Sequence, residues 1–133
     1  MAYGTANVDN IQSSTAGTPV VFKDGGGTQI GTLCRAWVNF NGTTSPGTIR
    51  AAFNVSSVTK SGTGSYVVNL TTAMPDTNYC VTVSTTTNAS GGLNCWYSDT
   101  TTTSTISVGT YGVAGGGAGA YRDTAQISVA IFR

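Results

Sequence analysis

From Val20 onward, apolar and polar residues alternate in short runs separated by clusters of turn-forming residues. Alternation with a period of two marks half-buried β-strands. Val20, Val21 and Phe22 form a short apolar strand, Lys23 to Gly27 turns, and Thr28-Gln29-Ile30 opens another. Cys34, Ala36, Val38 and Phe40 alternate with Arg35, Trp37 and Asn39, which sets the first group toward a core and Trp37 on the opposite face. Asn41-Gly42 ends that run with a pair suited to positive φ. Ile49, Ala51, Phe53 and Val55 alternate with Arg50, Ala52 and Asn54. Lys60 to Gly64 reads as a hairpin connection between that region and Tyr66, Val68 and Leu70. Met74-Pro75-Asp76 is a turn, because proline cannot donate to a sheet ladder. Tyr79, Val81 and Val83, then Leu93, Cys95 and Tyr97, then Ile106 and Val108, and last Ile127, Val129 and Ile131 complete the inward sets. Thr100 to Ser104, nearly all hydroxyl residues, reads as a turn or an edge strand.

This pattern predicts an all-β fold, a compact antiparallel β-sandwich, jelly-roll-like, of about seven to nine short strands with turns about every 8–12 residues. Composition agrees. Val, Ile and Thr, whose branched Cβ packs well on a pleated surface, are abundant. Helix-favouring Glu, Lys, Leu and Met are scarce or missing. The first 19 residues lack alternation and are rich in Thr, Ser, Asn and Gly. They read as an N-terminal docking arm, with Tyr3, Val8 and Ile11 as its apolar anchors, followed by a β-sandwich over 20–133.

Charge narrows the function. The chain has 133 residues, a net charge of +1, and 8% charged residues, against roughly 25% in an average domain. All five acids are Asp, and there is no His. No Ser-His-Asp or Cys-His pair can form, and no imidazole metal site. A nearly neutral surface does not recruit nucleic acid. No apolar run approaches the length of a membrane span. Asp9, Asp24, Asp76, Asp99 and Asp123 all fall in loops or turns, where Asp bonds its own backbone. A glycosidase needs two carboxylates at a fixed separation, and nothing marks such a pair. The expectation is a protein without catalysis, cofactor or metal.

The remaining candidates are binding and assembly residues. Cys34 is in phase with the core set and reads as a small buried hydrophobe; as the odd thiol of three it is also the candidate for a link between chains. Cys80 and Cys95 flank the polar loop 86–92, and two readings stand: free thiols, or a cross-strand disulfide if their strands pair. Trp37, Trp96 and Tyr97 fall off the core phase, which suits a subunit interface. The glycine-rich stretch Gly112 to Ala120 reads either as a flexible linker or as a distal loop. In the second reading Tyr111, Tyr121, Arg122 and Asp123 at its ends contact a receptor by stacking and hydrogen bonding, together with Asn88 and Ser90 of the other loop.

Three stretches carry a resemblance. RAWVNFNGT at 35–43, IRAAFNVSS at 49–57 and GTGSYVVNLTTAMPDTNY at 62–79 are similar to a motif run at the C-terminal ends of tail fibres and related virion appendages of tailed phages, especially those of cyanobacteria and other aquatic bacteria. Met1 to Asp9 also resembles the start of many such proteins, whereas Cys80 to Arg133 adds little. Ser65 stands where that motif commonly has Asp. The fibres of that family carry a long shaft before the knob, and about 20 residues precede it here. The resemblance implies a trimeric, non-catalytic knob on the outside of a virion, made in the bacterial cytoplasm. Its arm would join tail or baseplate proteins and its knob a host-surface glycan or protein. A capsid decoration, cement or head-fibre protein built on the same knob is the alternative.

Overall fold

The computed structural model describes residues 8–15, 20–86, 93–98, 101–112 and 119–133. Among these residues there is no helix and there are eleven strands, more than the alternation predicted. They are β1 (Phe22–Lys23), β2 (Gln29–Gly31), β3 (Cys34–Asn41), β4 (Thr48–Phe53), β5 (Val55–Gly62), β6 (Ser65–Leu70), β7 (Cys80–Thr85), β8 (Leu93–Tyr97), β9 (Thr105–Gly112), β10 (Ala120–Tyr121) and β11 (Ile127–Phe132).

The chain divides into two compact units, Met1–Leu33 and Cys34–Arg133. In the first unit β1 and β2 form an antiparallel hairpin. Its turn is built by Asp24, whose carboxylate accepts the amides of Gly26 at 2.9 Å and Thr28 at 2.8 Å. Gly27 supplies the left-handed residue at φ 86. Val8 and Ile11 are exposed, and Tyr3 lies outside the described residues.

The second unit is an antiparallel sandwich. One sheet runs β4-β3-β11-β7; the other runs β5-β6-β9, with β8 also paired to β9 and the short β10 joining β9 at 111–112. Four connections, β3–β4, β5–β6, β8–β9 and β9–β10, join strands paired within one sheet, and β4–β5, β6–β7, β7–β8 and β10–β11 cross between sheets. The inward sets meet as one core: Ala36, Val38, Phe40, Ile127, Val129 and Ile131 from the first sheet, and Val58, Tyr66, Val68, Leu70, Ile106 and Val108 from the second. Burying such side chains stabilises by roughly 1.5–3 kcal/mol each, before the opposing entropy.

Two predicted details are corrected. On β4 only Ile49 packs toward the core. A register shift between Asn39 and Phe40 pairs Asn39 with Ala51 and Phe40 with Ile49. One extra residue flips every later side chain to the other face, so Ala51 and Phe53 point outward and Phe53 is 54% exposed. Gly42 is not at positive φ. Glycine is needed there because a Cβ would lie 2.7 Å from Tyr66 Cζ and 2.8 Å from Ile127 Cδ1.

The crossing from β4 to β5 depends on Asn54, the one non-glycine residue at positive φ among those described. Its side-chain nitrogen donates to the carbonyls of Arg35 (3.2 Å) and Thr72 (3.1 Å), and its side-chain oxygen accepts the Thr72 amide at 2.7 Å. Asn54→Gly keeps the backbone and removes these bonds, and is expected to lower unfolding free energy by about 1–3 kcal/mol. Asn54→Ala is expected to lower it by about 1 kcal/mol more, because alanine resists φ > 0. Urea unfolding of both variants checks the order; an alanine variant no weaker than the glycine variant contradicts it.

Candidate functional site

The outward face of the second sheet carries the aromatic side chains that fell off the core phase. Strand register places Asn94, Tyr111 and Tyr121 in one cross-strand row, and Trp96, Gly109 and Ser65 in the row beside it. Val108 and Thr110 are buried in the sandwich, so their neighbours Gly109 and Tyr111 face out. Gly109 lets the Trp96 ring lie flat across β9: a Cβ there would overlap the indole Cε2, Cζ2 and Nε1 atoms. Gly119 clears the Tyr111 ring in the same way. Tyr121 then meets both rings edge to face, at centroid distances of 6.1 Å from Trp96 and 5.6 Å from Tyr111. Such pairs are worth about 0.5–1.5 kcal/mol beyond their buried area. They hold an aromatic patch whose outermost ring, Tyr121, is 55% exposed.

The rest of that face, as these rows place it, is uncharged and mostly polar. Ser107, Val67 and Thr59 form the next row, and Thr105, Asn69 and Ser57 occupy the sheet beyond it. Asn69 donates to the hydroxyls of Ser57 (3.0 Å) and Thr59 (3.1 Å). An aromatic patch beside hydroxyl and amide groups can hold a partner that offers apolar C–H surface and hydroxyls together.

Asp123, predicted to contact a receptor, is bonded within its own chain. Its Oδ1 accepts the Gly64 amide at 2.8 Å and lies 2.9 Å from the Tyr66 hydroxyl, and its Oδ2 is 2.6 Å from Lys60 Nζ. The Tyr66 hydroxyl also lies 3.1 Å from the Gly42 carbonyl, so its single proton is shared between two acceptors. Residues on either side complete the tie. The Thr110 hydroxyl donates to the Arg122 carbonyl, the Arg122 amide donates to the Thr110 carbonyl at 3.2 Å, and Gly42 donates to the Thr124 carbonyl at 2.9 Å. Arg122 to Thr124 thereby closes one end of the sandwich.

These contacts set a pH dependence. Burial works to raise the Asp123 pKa, but the Gly64 amide, Lys60 and Tyr66 outweigh it and hold the carboxyl below its usual value. Burial, then the hydrogen bond and charge of Asp123, push Tyr66 well above the usual tyrosine value. Below the ordinary Asp pKa of about 3.9 the unfolded chain takes up a proton that folded Asp123 resists, so stability falls as pH drops through that range. Above about pH 10 the unfolded tyrosine ionises while folded Tyr66 does not, so stability falls again. Urea midpoints should therefore form a plateau between these limits. Asp123→Asn should flatten the acid limb and Tyr66→Phe the alkaline limb; unchanged limbs in both variants contradict the assignment.

The other predicted residues fall as follows. Trp96 packs on Gly109 and Tyr121 of its own chain, and the Tyr97 side chain, Asn88 and Ser90 lie outside the described residues. Trp37 is 39% exposed on the outward face of the other sheet. Cys80 and Cys95 are free thiols: β7 pairs with β11 and β8 with β9, so the antiparallel pairing that would have set them opposite each other does not form. Cys34 is half-buried, not fully, and its thiol turns to the carbonyls of Ala36 (3.1 Å) and Ile131 (3.5 Å). Arg122 is half-exposed beside Tyr121. Among the described residues no three His, Cys, Asp or Glu side chains converge as metal ligands would. Gly109, Asn94 and Ser65 were not foreseen as part of the patch, because only the β8–β9–β6 register brings them to it. Compared with protein-family models, with curated proteins and with solved structures, the chain matches none.

Proposed function

We propose that this chain is a non-catalytic tail-fibre-like protein of a tailed phage. Residues 1–19 dock on the tail or baseplate. The sandwich adheres to the host envelope as part of a homotrimer. The observation that carries the reading is the Trp96–Tyr111–Tyr121 patch, exposed on an uncharged sheet face of hydroxyl and amide groups. Such a face can hold host-surface glycan without charge. The likeness of residues 35–79 to phage appendage proteins supports the virion setting. Binding at one patch is weak and gains strength from several copies, because linked sites raise effective concentration.

The test is adsorption of fluorescently labelled protein to host cells. Tyr121→Ala removes the exposed ring without touching the core and is expected to reduce binding about tenfold, the effect of losing roughly 1.4 kcal/mol at an aromatic anchor. Undiminished binding by that variant, with its melting temperature unchanged, contradicts the role of the patch. Shortening of host polysaccharide by the purified protein contradicts the non-catalytic reading. Sedimentation as a monomer at all concentrations removes the homotrimer.

A further inference from the structure

A recess lies on the opposite face of the sandwich. On the outward side of the β4-β3-β11-β7 sheet, register aligns Phe53, Trp37, Ala130 and Thr82 in one row. Asn39, Ser128 and Ser84 share the row beside it, with Ala51 at its edge. Beside Trp37 the two rows carry only small side chains on β11 and β7: Ala130, Ser128, Thr82 and Ser84. The indole therefore stands as a wall beside a low floor, and the groove they form, about 350 Å3, reaches down to the backbone at Val38 and Val129.

The lining is largely apolar, with the Asn39 amide and the hydroxyls of Thr82, Ser84 and Ser128 set within it. Asn39 Nδ2 donates to Ser128 Oγ at 2.8 Å, which fixes the amide orientation and leaves the Ser128 proton free to point outward. Arg50 braces Asn39 from the side at 3.4 Å and is itself tied to the Ala125 carbonyl at 2.5 Å. Among the described residues the Ser84 hydroxyl and the Trp37 indole N–H make no hydrogen bond. An apolar partner would strip water from these groups and return no bonds, which is unfavourable. No charged side chain is among the residues that line the groove, and the Arg50 guanidinium beside it is engaged by Asn39 and the Ala125 carbonyl.

We propose that this groove binds a neutral saccharide of one or two rings. The indole face of Trp37 stacks on the C–H face of a sugar ring, and Asn39, Ser84 and Ser128 bond its hydroxyls. The volume lies at the lower end for small-molecule sites, which begin near 300 Å3. This inference does not depend on the virion reading and concerns a site separate from the Tyr121 patch.

The test is a series of 1H–15N correlation spectra of the full chain titrated with methyl α-glucoside, methyl β-galactoside, lactose and chitobiose. At least one should shift the Trp37 indole and Asn39 amide signals saturably, with a dissociation constant of about 1 mM. Trp37→Ala, which removes the wall, and Ala130→Leu, which fills the floor, should each weaken that binding by about tenfold or more. Tyr121→Ala should leave it unchanged, which separates this site from the patch. Absence of a saturable shift with all four sugars overturns the proposal. So does a shift of the Trp37 signal with protein concentration alone, which would mark the groove as a contact between copies of the chain.

Discussion

Asp123→Ala is expected to lower the unfolding free energy of the sandwich by about 2–4 kcal/mol. Three donors on two neighbouring elements converge on that carboxylate: Lys60 of β5, the Gly64 amide of the β5–β6 hairpin and Tyr66 of β6. Removing the acceptor leaves a lysine side chain that is only 14% exposed without its partner, and an amide and a hydroxyl without one of theirs. Loss of the partner costs more than the pair contributes, because the desolvation of the stranded groups is no longer offset. The carboxylate side chain is 26% exposed, so some water reaches it and the effect stays below that of a fully buried pair. A double-mutant cycle with Lys60→Met is the check. The double variant should lose less than the sum of the two singles, with a coupling of about 1 kcal/mol or more. Additive losses would show that the ion pair contributes nothing by itself.

Gly64→Ala should be at least as severe, about 3 kcal/mol or more, or prevent folding of the sandwich. Gly64 sits at φ 63, which an L side chain resists by roughly 1–2 kcal/mol. A Cβ there would also lie 2.5 Å from the Thr110 carbonyl oxygen and 2.6 Å from the Arg122 nitrogen. Both are backbone atoms held in hydrogen bonds, so neither can move aside cheaply. Gly62 is two residues away in the same hairpin and gives the control. It has open space around its Cβ position and no positive φ. Gly62→Ala should change stability by about 0.5 kcal/mol or less. Thermal unfolding of the pair decides: similar losses at both positions would mean that the end of the sandwich is looser than these contacts require.

Fold class was legible because inward sets such as Val38/Phe40, Val68/Leu70 and Ile127/Val129/Ile131 each alternate cleanly with their neighbours, and all of them are core. Phase was lost on β4, where a bulge between Asn39 and Phe40 shifts pairing in a way that only the partner strand specifies. Strand order was not legible either, since pairing β7 with β11 rather than with β8 depends on contacts between distant parts of the chain. The same reason divides the candidate site. Tyr111 and Tyr121 were recognisable at the ends of one loop, and Trp96 as an aromatic off phase, but nothing local shows that Gly109 lets the three meet. The tie from Asp123 to Lys60 was not legible, because a turn aspartate near aromatic residues looks the same whether or not it reaches inward.

The most direct test is a density map of the virions assembled in cells that express this chain from its own genome. The account predicts copies grouped in threes on tail appendages, with the Tyr121 face open to solvent. Copies tiling the capsid shell, or a particle that lacks the chain, would contradict it.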